Sequence, residues 1–566
     1  MKMNGARILL ECLKLEGVDT VFGYPGGTVI NIYDELFSFK EIRHILPRHE
    51  QAGVHAADGY ARASGRVGVA IATSGPGATN TVTGIATAYM DSIPLVLITG
   101  QVPTALIGND AFQEADIVGI TRPCTKHSFL VKDVRELAAI VKKAFYIARS
   151  GRPGPVLIDF PKDVQIATTE FKYPDAVDIR GYKPTLEGHP RQIEKAVGML
   201  LAAKKPVIYV GGGVILANGS VELVEFARRA GVPVTTTLMG LGSFPGDDLL
   251  ALGMLGMHGS YYANMAVSHT DLLVAIGARF DDRVTGKIAT FAPHAKIIHI
   301  DVDPTSIKKN VRVDLPIVGD VKWVLTKMLK VLEEQCDAID GFRREIAPWL
   351  QEIDGWKTKH PMTFKQSASV IKPQLVIRKL RELSNPDAIV ATDVGQHQMW
   401  TAQFFTFTGP RTFLSSGGLG TMGFGLPAAM GAQVAFPGRQ VIVVCGDGGF
   451  QMNLQEMASL VQHRLPVKIC ILNNNYLGMV RQWQEMFFDR RYSQTCMELP
   501  IDFIKLAEAF GATGLRAEKP DEVEAVIKKG FKTPGPVIME FKIAREEKVL
   551  PMVPAGASLT EMVLAS

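Results

Sequence analysis

Residues 441–478 read VIVVCGDGGFQMNLQEMASLVQHRLPVKICILNNNYLG. An apolar run ends in Gly446-Asp447-Gly448-Gly449, an amphipathic segment follows, and a second apolar run ends in Asn473-Asn474-Asn475. The pattern predicts strand, helix, strand. Such a unit is right-handed with parallel strands, and ligands of open α/β sheets bind beyond the carboxyl ends of those strands. Asp447 and Asn474 are thus expected side by side, each offering an oxygen. Glycine lets backbone approach an anion closely, and a following helix N-terminus favours negative charge. Hard oxygen donors with room for phosphate oxygens suit Mg2+. The stretch therefore fits a magnesium diphosphate site. It fits equally an ordinary sheet edge with a turn aspartate and a capping asparagine.

Working outward, the same rhythm recurs along 566 residues. Strand candidates at 18–24, 44–46, 67–73, 95–99 and 156–159 alternate with helical patterns. A second set, at 206–210, 271–276 and 296–300 with a last strand ending near 318–320, repeats it. Alternation of this kind predicts α/β architecture: three doubly wound parallel-sheet domains. The expected boundaries are a first domain at 1–165, a polar linker at 166–192, a central domain at 193–336, a charged helical connection at 337–373 broken by Pro348 and Pro361, a third domain at 374–544, and a tail at 545–566.

Composition narrows the function. Apolar residues make up 47% and charged residues 21%, enough for sizeable cores. The net charge is +4, from 61 basic and 57 acidic residues without a long basic run, so neither nucleic acid nor an anionic membrane is an expected partner. No apolar stretch approaches the ~20 residues that span a bilayer. Six scattered cysteines without a CxxC pair point to reduced thiols and a cytoplasmic setting.

Several residues invite two interpretations. Glu50 precedes a helix rich in small residues and is either a first-turn carboxylate or a proton-transfer group. Ser74–Asn80 is either a tight turn or an anion loop. Gly211-Gly212-Gly213 is no GxGxxG, since Leu216 takes the last glycine's place. Asp301 and Asp303 either bind ribose hydroxyls or cap the next helix. His127, His258 and His397 lack metal-ligand spacing. Met479, Trp483, Met486 and Phe487 form a helical stripe, either core or pocket wall.

The GDG–Asn pair resembles the diphosphate–Mg2+ motif of thiamine diphosphate enzymes. VFGYPGG (21–27), RHEQAGVHAADGYAR (48–62), TSGPGATN (73–80), GRPGPVLIDFPKD (151–163), GARFDDRVTG (277–286), SGGLGTMGFGLPAA (416–429) and NNNYLGMVRQWQ (473–484) narrow the likeness to the large catalytic subunit of acetohydroxyacid synthase, also called acetolactate synthase. The resemblance implies decarboxylation of pyruvate on thiamine diphosphate and transfer of a hydroxyethyl group to a second 2-keto acid, pyruvate or 2-ketobutyrate. It implies Mg2+ held by Asp447, Asn474 and a backbone oxygen near Tyr476, and a cofactor bound by Glu50, Gly395, Gln396, His397, Met422, Gly446, Asp447, Gly448, Gly449, Asn474 and Tyr476. Glu50, Gln113 and Lys162 take catalytic roles in it, and Gly27, Phe112, Arg283, Met479 and Trp483 form the substrate pocket. It further implies a structural FAD on Arg152, His258, Gly259, Arg279, Asp301 and Asp320. Glu50 would serve the site of another chain, giving a homodimer or homotetramer, with a small regulatory subunit as further partner. Pyruvate oxidase, an FAD-free catabolic acetolactate synthase and a non-catalytic homologue are the alternatives. Thr28 departs from the family, which commonly has Ala there.

Overall fold

A computed structural model of the chain describes residues 2–497 and 501–564. It contains three six-stranded sheets and a small two-stranded one. Every strand pair within the large sheets is parallel. Parallel strands need crossover helices, which bury both faces of the sheet. That is why Val441–Gly446 and Lys468–Asn473 are near-continuous apolar runs.

The first sheet takes its strands in the order Arg43–Ile45, Thr20–Gly23, Gly68–Ala72, Leu95–Gln101, Pro155–Pro161, His127–Leu130. The central sheet runs Ala251–Met254, Val234–Thr236, Pro206–Val210, Leu272–Ile276, Lys296–Asp301, Leu315–Val318. The third runs Phe413–Leu414, Ile389–Thr392, Val441–Gly446, Lys468–Asn473, Val537–Lys542, Thr513–Ala517. Lys2–Asn4 pairs antiparallel with Thr168–Glu170, so the end of the first unit closes over its own beginning.

Two stretches differ from expectation. Pro348 does not break its helix, which runs unbroken over Cys336–Lys359. The proline forfeits one backbone bond, but Phe342, Ile346, Trp349 and Ile353 are buried against the central sheet's cores, and the Trp349 indole donates to the Pro206 carbonyl at 3.2 Å. Residues 545–564, expected only as a short tail, pack back onto the central unit. Val553 and Leu559 are buried in a core of the central unit, where Val553 N–H donates to the Met257 carbonyl and Lys287 N–H to that of Ala557.

The first and third units meet where Glu50–Ser64 crosses Gly425–Ala435. Both helices are notched by glycine. A Cβ on Gly431 would sit 1.8 Å from the Ala56 carbonyl oxygen, and one on Gly59 2.1 Å from that of Ala428. Beside the crossing, buried Arg62 pairs with Asp58 and with Asp91 (2.9 Å) and donates to the Ser415 carbonyl at 2.8 Å. Burial opposes its charge, yet the two carboxylates hold Arg62 protonated.

A second contact ties the same units. The wholly buried Glu456 accepts from Arg48 N–H at 2.8 Å and meets Ser459 Oγ at 2.9 Å, which also donates to the Leu46 carbonyl. Burial pushes Glu456 up to about 7. The folded state thus binds this proton more tightly than the unfolded chain, where a glutamate has its ordinary value of 4.5. The associated stability is full below pH ~4.5 and is lost as pH rises toward ~7. Glu456→Gln keeps both contacts without the ionisation. Its Tm relative to wild type is expected to rise between pH 5 and 8, by an amount equivalent to at most ~3 kcal/mol. Calorimetry at several pH values checks this, and a pH-independent difference refutes it.

Candidate functional site

The register aligns Gly446 with Leu472, so both strands of the 441–478 unit end at one edge. Asp447 and Asn474 lie there together, both buried, with the Asn474 backbone N–H donating to the Asp447 carboxylate. Burial pushes Asp447 up to about 6, against that hydrogen bond and the charge of Lys542. Asn474 Oδ1 accepts from Tyr476 N–H at 3.1 Å, and its amide lies 3.4 Å from Gln396 Oε1. Asn475 adopts φ 55°, turning the chain so that the Tyr476 carbonyl follows directly. The oxygens at this edge are those of the Asp447 carboxylate and the Asn474 amide. Among the described residues no cluster of three His, Cys, Asp or Glu side chains exists. All-oxygen donors of this kind suit Mg2+ and leave positions for phosphate oxygens.

The helix expected after the glycines is shorter than predicted. It comes as one turn, Asp447–Phe450, and resumes at Glu456–Gln462. A single turn offers backbone N–H groups but little of a long helix's dipole. The glycines serve close approach. A Cβ on Gly446 would lie 3.1 Å from His397 Nδ1, on Gly448 2.9 Å from Leu477, and on Gly449 2.5 Å from Asp393 Oδ1. His397 Nε2 is buried without a hydrogen-bond partner, and burial pushes its ring down to about 4, so it stays neutral. A buried, unsatisfied ring nitrogen beside a glycine turn fits a ligand held there. Asp393 was invisible to sequence reasoning. Its carboxylate accepts from Gly423 N–H (3.0 Å) and Gly425 N–H (3.2 Å), gripping the turn that carries Met422.

The remaining residues fall into two groups. Glu50, Gly27, Gln113 and Lys162 gather at the edge of the first sheet. Glu50 opens its helix and accepts from Asn80 Nδ2 at 3.0 Å. A Cβ on Gly77 would lie 3.2 Å from Glu50 Oε1, and one on Gly75 2.7 Å from the Gln113 carbonyl oxygen. Thr28, beside exposed Gly27, bonds Thr73 Oγ1 at 2.9 Å and accepts from Ser74 N–H at 2.9 Å. Phe112 is 88% exposed. Among the described residues no hydrogen bond or ion pair joins Glu50 to Asp447 or Asn474.

The second group lines a cleft of about 890 Å³. Arg152, His258, Arg279, Asp301 and Asp320 lie along it with Gly211–Gly213, and so do Arg283, Gly395, Met479 and Trp483. Gly259 does not line it; a Cβ there would meet the Leu255 backbone at 2.5 Å, so this glycine packs the turn behind His258. Asp303 caps a short turn, accepting from Thr305 N–H at 2.9 Å, whereas Asp301 faces the cleft. Asp303 thus takes the capping role, and Asp301 stands on the cleft wall. Buried His258 Nδ1 and Trp483 Nε1 have no partner. A long cleft with an aspartate beyond a strand end and unsatisfied buried nitrogens fits a dinucleotide such as FAD.

Three family models match the chain: thiamine pyrophosphate enzyme, N-terminal TPP binding domain, over residues 3–120; the central domain over 193–328; and the C-terminal TPP binding domain over 393–541. The chain is 49% identical over 569 residues to the acetolactate synthase large subunit of Haemophilus influenzae, covering 100% of this chain and 98% of that protein. It belongs to the acetolactate synthase large-subunit family of thiamine pyrophosphate enzymes. Identity to the isozyme 3 large subunit of Escherichia coli is 49% over 570 residues, with 100% and 99% covered. For the large subunit of Corynebacterium glutamicum it is 49% over 570 residues, with 100% and 90% covered. The Asp447–Asn474 edge lies within the stretch matched as the C-terminal TPP binding domain. No helix among the described residues is long and apolar enough to cross a membrane.

Asp447→Ala is expected to weaken Mg2+-dependent thiamine diphosphate binding at least ~10-fold, as losses around metal sites do. Titration calorimetry on the purified variant measures it. An unchanged Kd removes Asp447 from the metal site.

Proposed function

We propose that this chain is the catalytic subunit of an acetolactate synthase, joining two 2-keto acids with loss of carbon dioxide. The full-length identity to acetolactate synthase large subunits carries this reading, and the presence of Glu50, Asp447 and Asn474 supports it. Pyruvate is the donor, and pyruvate or 2-ketobutyrate the acceptor, giving 2-acetolactate or 2-aceto-2-hydroxybutyrate on the route to valine, leucine and isoleucine.

Asp447, Asn474 and the Tyr476 carbonyl hold Mg2+, and with it the diphosphate. Thiamine diphosphate, when bound, supplies the electron sink that accepts the pair left as carbon dioxide departs. Glu50 holds and moves a proton at N1′ of the aminopyrimidine. Met422, on the turn that Asp393 holds, would support the cofactor when it is bound. Arg283 faces the acceptor carboxylate, while Met479 and Trp483 narrow the wall against which the acceptor packs. Gln113 and Lys162 act from the first-unit edge.

The chain's two groups are half-sites. Glu50, Gln113 and Lys162 sit on one, the Asp447 edge and the Trp483 wall on another, with no bond between them. Pairing two chains brings the first group of one to the second group of the other, so a homodimer is the smallest complete enzyme and a tetramer a pair of these. The relatives' designation as large subunits supports a smaller regulatory partner. FAD suits the central cleft. Two pyruvates give acetolactate and carbon dioxide with no change in overall oxidation state, so the flavin is structural and passes no electrons.

Purified protein with pyruvate, Mg2+ and thiamine diphosphate is expected to form acetolactate, and Glu50→Ala to be at least ~100-fold slower. Acetaldehyde as the only product, or an unimpaired variant, overturns the assignment. Trp483→Leu is expected to lower the share of 2-ketobutyrate product in competition with pyruvate; an unchanged ratio removes Trp483 from acceptor choice. Denaturation is expected to release a yellow flavin, and a colourless supernatant argues against the FAD cleft.

A further inference from the structure

One buried carboxylate has no role in that scheme. Asp159 is 2% exposed, near the end of Pro155–Pro161. No lysine or arginine pairs with it among the described residues. An isolated buried carboxylate is costly unless its oxygens are occupied, and here both are. Parallel register sets Asp159 opposite Thr99 and Pro161 opposite Gln101. Side chains alternate along strands, so Thr99 and Gln101 share one face. Thr99 Oγ1 donates to Asp159 Oδ1 at 2.8 Å, and Gln101 Nε2 to Oδ2 at 3.0 Å. Burial pushes Asp159 up to about 7.

The Gln101 amide is fully engaged. Its oxygen accepts from Val102 N–H at 2.8 Å, and its nitrogen also donates to the Ala115 carbonyl at 3.0 Å. Ala115 closes the loop that carries Phe112 and Gln113. Gln113 stands at φ 58°, a left-handed conformation that non-glycine residues adopt only when neighbours impose it. The loop's other end is held from the short helix Lys162–Ile166 that follows this strand. Asp163, next to Lys162, accepts from Thr104 N–H at 3.0 Å. Asp159 and Asp163 thus flank Lys162 in sequence and grip both ends of the Phe112–Gln113 loop.

We propose that Asp159 is a positioning residue which, through Gln101 and the Ala115 carbonyl, fixes Phe112 and Gln113 relative to Lys162. It rests on the assignment of that loop and Lys162 to the synthase active site. Catalytic groups held in place this way lose rate steeply when displaced by as little as ~1 Å.

The test uses the holoenzyme loaded with thiamine diphosphate, Mg2+ and flavin. Gln101→Met removes the link to Ala115. Asp159→Leu removes its support. Asp159→Asn can keep both contacts, its oxygen accepting from Gln101 and its NH2 donating to Thr99 Oγ1. Gln101→Met and Asp159→Leu are expected to lower kcat at least ~10-fold and to shift the ratio of the two products. Asp159→Asn is expected within ~3-fold of wild type, and the double variant no worse than its weaker member, as residues acting as one unit behave. A merely structural loss would reduce the active fraction and leave the product ratio and KM unchanged, and that outcome overturns the proposal. Wild-type ratio and kcat in Gln101→Met overturn it too, even if Asp159→Leu fails to fold. Wild-type protein that forms no acetolactate would instead fail the assignment of the reaction.

Discussion

The crossing of Glu50–Ser64 with Gly425–Ala435 is the contact on which the rest depends. Two backbones can approach this closely only where side chains are absent, and Gly59 and Gly431 stand at the points of contact. Each helix starts beside functional residues. Glu50 is the first residue of one, and the turn bearing Met422 leads into the other. Arg62, placed between carboxylates from its own helix and from Asp91, locks the crossing angle and reaches the 415–418 loop, where Gly417 and Gly418 N–H donate to Asp91. A neutral substitute at 62 would strand two buried carboxylates, a far larger penalty than the pair's own net contribution. Packing and electrostatics here enforce one arrangement of both units.

Much of this was legible in the sequence, for a simple reason. Parallel strands must be apolar and must end in loops able to turn sharply, so runs such as VIVVC and KICIL followed by Gly or Asn mark both the strand and the functional edge. Asp447 and Asn474 were readable because chain connectivity puts them at adjacent strand ends. Short strands at the sheet margins, His127–Leu130 and Phe413–Leu414, carry too few residues for a periodic signal. Pro348 misled because a proline's local penalty is smaller than the burial of the aromatic face around it. Asp393, Gln101, Asp159 and Glu456 were unreadable for another reason. Each works through partners distant in sequence, and a lone acid or amide carries no mark of burial. The choice between Asp301 and Asp303 likewise needed the backbone path.

On the proposed reading the catalytic chemistry is divided by domain, with the proton-handling and loop-borne residues in the first unit and the anion and metal donors in the third, while Arg279, Asp301 and Asp320 of the central unit line the cleft. Buried Asp447 already resists ionisation, and a neighbouring negative charge would raise its pKa further.

The returning C-terminal segment has a mechanical consequence. After the third unit closes, residues 545–564 cross back, with Gln396 Nε2 on the Glu547 carbonyl, Gln482 bonded to Val549, and Val553 and Leu559 seated in the central unit. The chain first joined those units through the stretch after Lys359. Two bodies linked by a single strand can swivel about it; linked at two separated points, they retain only bending about the line between the links. Gly246 N–H on the Phe407 carbonyl and Arg411 on Asn218 add further ties, so swivelling of the central unit against the third is opposed at several separated places.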